Sequence, residues 1–390
     1  MPKKKDQSLT ALKAFLFSYY ATNTILISFL GIFLRSKGLS GTEIGWVLAI
    51  GPLATIFSQP FWGYMSDKYK TVKWMIVICI SGLIISSMFF LQSETLVYIL
   101  IFGSVFYFFT APVSALGDSL GQRRAEDLGI SFGTVRNWGS IGFAVSSLCV
   151  GTFLTVFGVE YMVWPYIVLA GIALIFALRL TDVEASEQPV HLQDIKKLIQ
   201  NKPFLLFLLF FMFITISHRA NDSFIGLYIE NLGGSEQLVG VAWFVGVMSE
   251  AVVFSLGAYW FRKYHSIVFV IIAGALYTVR WLLFAEATTP TAVIVLQLLH
   301  GVTFAVLYLA SFDYISKLIP KILQSTGHLI FYSVFFGVSG IIGSLAGGWI
   351  LEVLGGHALY VSMAISSGIG TVLLTMYHMT TTKRRRFVKS

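Results

Sequence analysis

Twelve long apolar stretches, with seven charged residues expected to be buried in them, constrain this chain more than any other feature. The stretches run over roughly 12–34, 43–65, 73–92, 96–119, 134–157, 161–180, 204–228, 237–260, 267–285, 291–316, 327–353 and 357–379. Each is about 20 residues or longer, the length an α-helix needs to cross a hydrocarbon core of about 30 Å. The charges expected to be buried there are Asp118, Arg136, Arg219, Asp222, Glu250, Arg280 and Asp313. A charge at that depth costs at least about 2.5 kcal/mol, so it normally faces a partner or a water-filled path. The expected fold class is an all-α membrane protein with twelve transmembrane helices and a polar pathway through its middle.

Composition agrees. Only 12% of residues are charged and 56% are hydrophobic, whereas soluble domains are about 25% charged. The net charge of +8 does not point to nucleic acid. With the N-terminus placed in the cytoplasm, 21 of the 27 basic residues fall in inner segments, and only Arg35 and Lys37 fall in outer loops. By the positive-inside rule this asymmetry places both termini in the cytoplasm, and it supports an even number of spans. The first apolar run is longer than the roughly 7–15-residue core of a secretory signal, so it is expected to remain as a span. Cys79 and Cys149 lie in apolar spans, and no HExxH or GxxxxGK[ST] motif occurs. No metal or other cofactor and no enzymatic activity is expected.

The largest inner loop, about 181–203, lies near mid-chain, and its Leu192, Ile195, Leu198 and Ile199 have the spacing of a short interfacial helix. It divides the chain into an N-terminal six-helix bundle, 1–180, a cytoplasmic linker, 181–203, and a C-terminal six-helix bundle, 204–390. The halves look related. Tyr64–Lys70 closes the second span and Tyr259–His265 the eighth, and glycine pairs seven apart, Gly151 with Gly158 and Gly348 with Gly355, end the fifth and eleventh. Such repeats favour two pseudo-symmetric bundles around a central site.

Gly63-Tyr-Met-Ser-Asp67-Lys68-Tyr-Lys70 resembles the G-x-x-x-D-[RK]-x-x-[RK] loop of the major facilitator superfamily, with Tyr69 where glycine is common. Phe261 takes the aspartate position of a degenerate second copy. Asp118, the run Val135–Ser140 around Arg136, Glu250 and Val279-Arg280-Trp281 resemble the phenylpropionate permease branch, which is related to the lactose permease group of proton symporters. The resemblance implies a monomeric transporter, with Gly63, Asp67 and Lys68 as a gating loop. Asp67 is expected to cap the third span or to pair with a neighbouring basic residue.

The same resemblance, with the residues themselves, nominates two sites. Asp118 and Arg136 lie on consecutive spans, where lactose permease-type proteins hold the sugar with an acid and an arginine. A guanidinium fork suits carboxylates and vicinal hydroxyls, and a static interhelical salt bridge is the alternative. Counting from the helix ends puts Glu250, Arg280 and His300 near mid-membrane; the lactose permease group likewise has an acid, an arginine and a histidine on these three spans, and the resemblance implies a role in proton coupling. The glutamate that the lactose permease group carries one turn after its histidine is missing from Gly301–Phe304. Glu250 is therefore the first candidate for the proton carrier, with His300 as an alternative relay or a packing residue. Arg219 and Asp222 share a helix face, where they either pair or, with His218, Asn221 and Ser223, line the cavity. Asn221 and Asp222 join the substrate-binding candidates. Asp313 lies near the inner end of its span. Gly337-Val338-Ser339-Gly340 matches a serine-protease GxSG, but close helix packing explains it.

The expected function is secondary active transport of a small organic solute, an aromatic acid, a sugar or a nucleoside, by alternating access in the plasma membrane, with proton symport as the coupling. An exporter of the same fold and a non-transporting solute sensor are the alternatives. The expected partners are solute, protons and the lipid bilayer.

Overall fold

The computed structural model of the chain describes residues 2–182, 198, 200–260, 265–320 and 323–387. The expected interfacial helix and Phe261 fall outside them, apart from Leu198. Every regular element among the described residues is helical, and eleven helices are long and apolar enough to cross a membrane. They are α1 (Pro2–Ser36), α2 (Gly41–Tyr69), α3 (Lys73–Gln92), α4 (Leu96–Leu128), α5 (Phe132–Phe157), α6 (Val163–Leu178), α7 (Lys202–Asn231), α8 (Glu236–Trp260), α9 (Ser266–Ala285), α10 (Pro290–Leu318) and α11 (Thr326–Thr380). The last takes in two of the twelve apolar stretches. Its 55 residues would reach about 80 Å if straight, at about 1.5 Å per residue, well beyond one bilayer. Gly355 interrupts it with φ 83° and ψ 177°, a backbone state that residues with a Cβ avoid.

Local signals set several boundaries. Ser40 opens α2 with a reciprocal cap: its Oγ accepts from the Glu43 amide at 3.3 Å, and Glu43 Oε2 accepts from the Ser40 amide at 2.8 Å. Thr289 caps α10, with Pro290 at its first turn. Between α1 and α2, Lys37 donates to the Ser93 carbonyl at 2.8 Å. Partial burial holds its ammonium below the ordinary lysine range, with Glu94 opposing the shift.

The start of α3 corrects one expectation. Its cap is Asp182, which follows α6, and not Asp67. Asp182 Oδ1 accepts from the amides of Val72 at 3.1 Å and Lys73 at 2.9 Å, and Oδ2 accepts from Thr71 Oγ1. A carboxylate there also meets the positive end of the helix dipole. Asp67 sits one turn too early to reach those amides, because the chain first turns through Lys70 at φ 51°. Asp182→Ala is expected to destabilise the protein by about 1 kcal/mol, read as a lower melting temperature, and Asp182→Asn by less. Equal melting of wild type and Asp182→Ala would show that water replaces the cap.

The chain packs as two compact units. One holds the first six helices together with Ile225–Phe244; the other holds α7 through Phe224 and the chain from Val245. In the first unit, α1 packs on α5 and α6, α3 on α4 and α6, and α2 on α4. Small residues allow the close crossings: a Cβ on Gly142 would lie 2.2 Å from the Phe17 carbonyl oxygen, and one on Gly240 would lie 2.1 Å from that of Ser147. Arg35 meets Glu230 at 3.5 Å in the same unit. In the second unit α9 packs on α10 and α11. Gly343 approaches the Ala220 backbone closely, and Ser339 shares a 2.7 Å hydrogen bond with Thr215, both buried. The Gly337–Gly340 run is thus a packing seam. Large apolar side chains such as Phe157 and Val372 are more than half exposed on the outside, as lipid-facing residues should be.

Candidate functional site

Each unit carries a charged cluster in its spans. In the first, α4 contributes Asp118, α5 Arg136 and α1 Tyr20. Arg136 Nε lies 3.1 Å from Asp118 Oδ1 and 3.3 Å from Oδ2. Tyr20 donates its hydroxyl to both oxygens, at 3.3 and 3.1 Å. Its ring lies beside the guanidinium, 3.9 Å from centroid to Cζ. Gly139, one turn after Arg136, makes this contact possible: a Cβ there would come within 2.6 Å of Tyr20 Cδ2 and 2.7 Å of Arg136 Nη1. The two charged side chains keep 31% and 35% of their surface open. The arginine is therefore both aimed and reachable, which a sealed structural pair would not be.

The second cluster is larger and drier. Arg280 of α9 is fully buried, yet no carboxylate lies within 4.0 Å of it among the described residues. Neutral groups on α10 hold it. Nη2 donates to Gln297 Oε1, and Nη1 to Thr303 Oγ1 at 3.1 Å. Nη1 also faces His300 Nδ1 at 3.4 Å. Trp281 and Phe284 lie under the guanidinium at 4.6 and 5.2 Å, a cation–π arrangement that strengthens once water is excluded.

Glu250 pairs with His300 and not with Arg280: Oε2 lies 3.6 Å from His300 Nε2. A guanidinium can only donate, so in a bond to it Nδ1 of His300 is the acceptor, and Nε2 is the ring nitrogen that faces Glu250. A chain of contacts thus runs Glu250–His300–Arg280. Backbone geometry builds it. After His300, α10 widens into a π turn, Gly301–Ala305. The Gly301 amide donates to Ser249 Oγ of α8 at 3.0 Å, and a Cβ on Gly301 would lie 2.3 Å from the Ser249 carbonyl oxygen. Helices α8 and α10 meet backbone to backbone there, which places Glu250, the next residue, beside His300. Such π turns recur at functional sites.

Arg219 and Asp222 of α7 pair at 2.8 Å, and His218 Nε2 lies 3.4 Å from the same Asp222 oxygen. Tyr277 of α9 bonds His218 Nδ1 at 3.0 Å. The His218 and His300 rings stack on Phe304 at 4.9 and 5.5 Å and lie 5.8 Å apart. Asn221 is buried and accepts from Tyr360 at 3.1 Å. Asp313 pairs with Lys317 at 2.6 Å and accepts from Ser266. Gly63, Asp67 and Lys68, expected in a loop, lie in the last turns of α2, which runs on to Tyr69; Asp67 and Lys68 are exposed, Lys68 lies over the Tyr64 and Tyr69 rings, and the space beside Gly63 is open. Sequence reasoning did not single out Tyr20, Gln297, Thr303 or Tyr277. A polar residue facing a charged helix is the only sequence signal they carry.

Residues 9–362 match the family described as MFS_1 like. The chain belongs to the MFS_1 like family. It is 26% identical over 371 residues to the maltose permease of Geobacillus stearothermophilus, covering 94% of both chains. It is also 26% identical over 356 residues to the probable 3-phenylpropionic acid transporter of Escherichia coli, covering 90% of this chain and 92% of the relative. The structure of the nucleoside transporter NupG superposes with a TM-score of 0.84 at 18% identity, over 95% of this chain and 98% of that one. The chain is thus a multi-pass membrane transporter of the facilitator class and not an enzyme, as the loop motif and the buried charges led one to expect.

Proposed function

We propose that this protein is a proton-coupled symporter of a small organic solute in the plasma membrane, working as a monomer. Its twelve transmembrane helices form bundles over 1–180 and 204–390, joined by the linker 181–203, with both termini cytoplasmic; the two arms of α11 about Gly355 supply the last two crossings. Arg136 and Asp118 bind the solute, Asn221 and Asp222 of α7 are further substrate-binding residues, and Gly63, Asp67 and Lys68 act in gating. Glu250 carries the proton. The relatives move, by their names, a sugar, an aromatic acid and a nucleoside, and an arginine fork beside aromatic rings suits each.

One observation carries the coupling. Arg280 is buried among neutral acceptors, and the neighbouring acid, Glu250, reaches it only through His300. Proton loss from Glu250 creates an anion that Arg280 can approach if His300 yields, so protonation and geometry are linked. The test is proton uptake in sealed proteoliposomes holding a pH dye, on addition of maltose, 3-phenylpropionate or a nucleoside. Solute-dependent acidification of the lumen, with accumulation of the solute inside, is the expected result. Proton movement opposite to the solute identifies an exporter, and binding without movement identifies a sensor; either result removes the symport reading. Cysteines at Gly233 and Gly129, in exposed turns, test the topology: only the first should react with an impermeant reagent added to intact cells.

A further inference from the structure

The Arg219–Asp222 pair differs from a static helix-surface salt bridge. Asp222 uses only one oxygen: Oδ2 takes Arg219 at 2.8 Å and His218 at 3.4 Å, while Oδ1 is buried with no hydrogen-bond partner. Arg219 is equally under-used. Its Nε is buried without a partner, and among the described residues its pair with Asp222 is the one ion pair it makes. Arg280, by contrast, is held by three side chains. The Arg219 guanidinium stands 5.7 Å from the Phe336 ring and keeps 23% of its side-chain surface open, against 12% for Asp222. An arginine that hangs from one oxygen, partly open and over an aromatic face, is placed to exchange that oxygen for another.

We propose that Arg219 and Asp222 form a proton-gated anion site, in which protonation of Asp222 releases the Arg219 guanidinium to a carboxylate or phosphate group of the incoming solute. The exchange balances. Asp222 gains one proton from water, and the solute anion replaces it as the counter-ion of Arg219. No other bond is made or broken, and the net charge of the cluster is unchanged. The two events favour each other. A protonated Asp222 leaves a half-buried guanidinium without a counter-ion, which is costly unless an anion arrives. A bound anion in turn takes up the Arg219 cation that would otherwise pair with an ionised Asp222. Linkage makes this coupling reciprocal.

The groups around Asp222 leave this exchange to Arg219. On α7 they are Arg219 and His218. From α9 come Arg280 and Tyr277, and from α10 His300, which leads to Glu250 on α8. Arg280 and His300 are tied to partners of their own, and His218 sits between Asp222 and Tyr277 with both ring nitrogens engaged. From α11, Phe336 faces Arg219, and Ser344 meets Ser223 at 3.1 Å, so neither adds a charge.

The site rests on the transporter reading for its role, but its chemistry can be read without transport. The experiment is pH-difference infrared spectroscopy of the full-length protein in proteoliposomes, following the C=O stretch of protonated carboxyl groups. A band that titrates is expected, missing in Asp222→Asn and kept in Glu250→Gln. In Arg219→Gln it should persist to a pH higher by about one unit or more, because the opposing cation is gone. Benzoate or inorganic phosphate, as probes, should increase the band at fixed pH in the wild type and not in Arg219→Gln. The double variant Arg219→Gln/Asp222→Asn leaves no lone buried charge and controls for misfolding by its melting temperature. No Asp222-dependent band overturns the proposal. A band indifferent to both probes also overturns it, leaving Asp222 as a proton site only. A band that responds to the probes in a protein that moves no solute overturns the transport reading and leaves the anion site standing.

Discussion

Glu250→Gln is expected to keep solute binding and exchange and to lose the accumulation driven by its proton. The glutamine amide has the shape of a protonated carboxyl group, and it can still meet the His300 Nε2 that faces Glu250 at 3.6 Å. Arg280 keeps Gln297 and Thr303, so the buried guanidinium loses no direct partner and folding should survive. What disappears is the anion toward which Arg280 can swing. One coupled proton contributes about 1.36 kcal/mol per pH unit, which is a tenfold accumulation ratio. Under an imposed gradient, the variant should therefore fall short of wild type by about tenfold per unit of pH difference. For an anionic solute, the part carried by Asp222 should remain in Glu250→Gln and vanish in Glu250→Gln/Asp222→Asn. Wild-type accumulation in Glu250→Gln, at equal protein and equal exchange rate, would place the coupling proton on another group.

The sequence made the spans legible because a bilayer imposes one length and one composition on every helix that crosses it. It made the charges in those spans legible for the same reason: none is there cheaply. Pairing was legible only where it is local. Arg219 and Asp222 lie three residues apart on one helix and pair as their spacing suggests. Asp118 and Arg136 lie on consecutive helices and also meet. Tyr20, 98 residues from Asp118, reads in sequence as one more aromatic in an apolar span. Arg280 shows the limit most clearly. Its neutral partners Gln297 and Thr303 are ordinary residues on α10, and the π turn that sets the helix register beside Glu250 has no local sequence signature. The cap of α3 is another case. Asp67 is near in sequence, but Asp182, brought back by the end of α6, holds the amides.

Arg136→Lys is expected to weaken solute binding by about tenfold to a hundredfold with unchanged membrane insertion, because hydrogen bonds to a charged group contribute about 1.5–3 kcal/mol and about 1.4 kcal/mol is a factor of ten. The charge is kept, so Asp118 keeps a counter-ion. What lysine cannot supply is the plane. The guanidinium lies 3.9 Å from the Tyr20 ring centre while its Nε reaches Asp118 at 3.1 Å, and these two contacts together fix where the fork sits. An ammonium on a flexible stem has no fork to fix. Gly139→Ala tests the same idea without touching the charge. Its methyl group would press on Tyr20 and on Arg136 Nη1, so the arginine should be present but misaimed, with an affinity between wild type and Arg136→Lys. Gly171→Ala, whose new methyl group would meet nothing within 4 Å, should bind as wild type does and serves as the control. The measurement is equilibrium binding of the transported solute to purified protein, with melting temperature alongside. If Arg136→Lys and Gly139→Ala both bind as tightly as wild type, Arg136 is no more than the structural partner of Asp118, and the solute is held elsewhere.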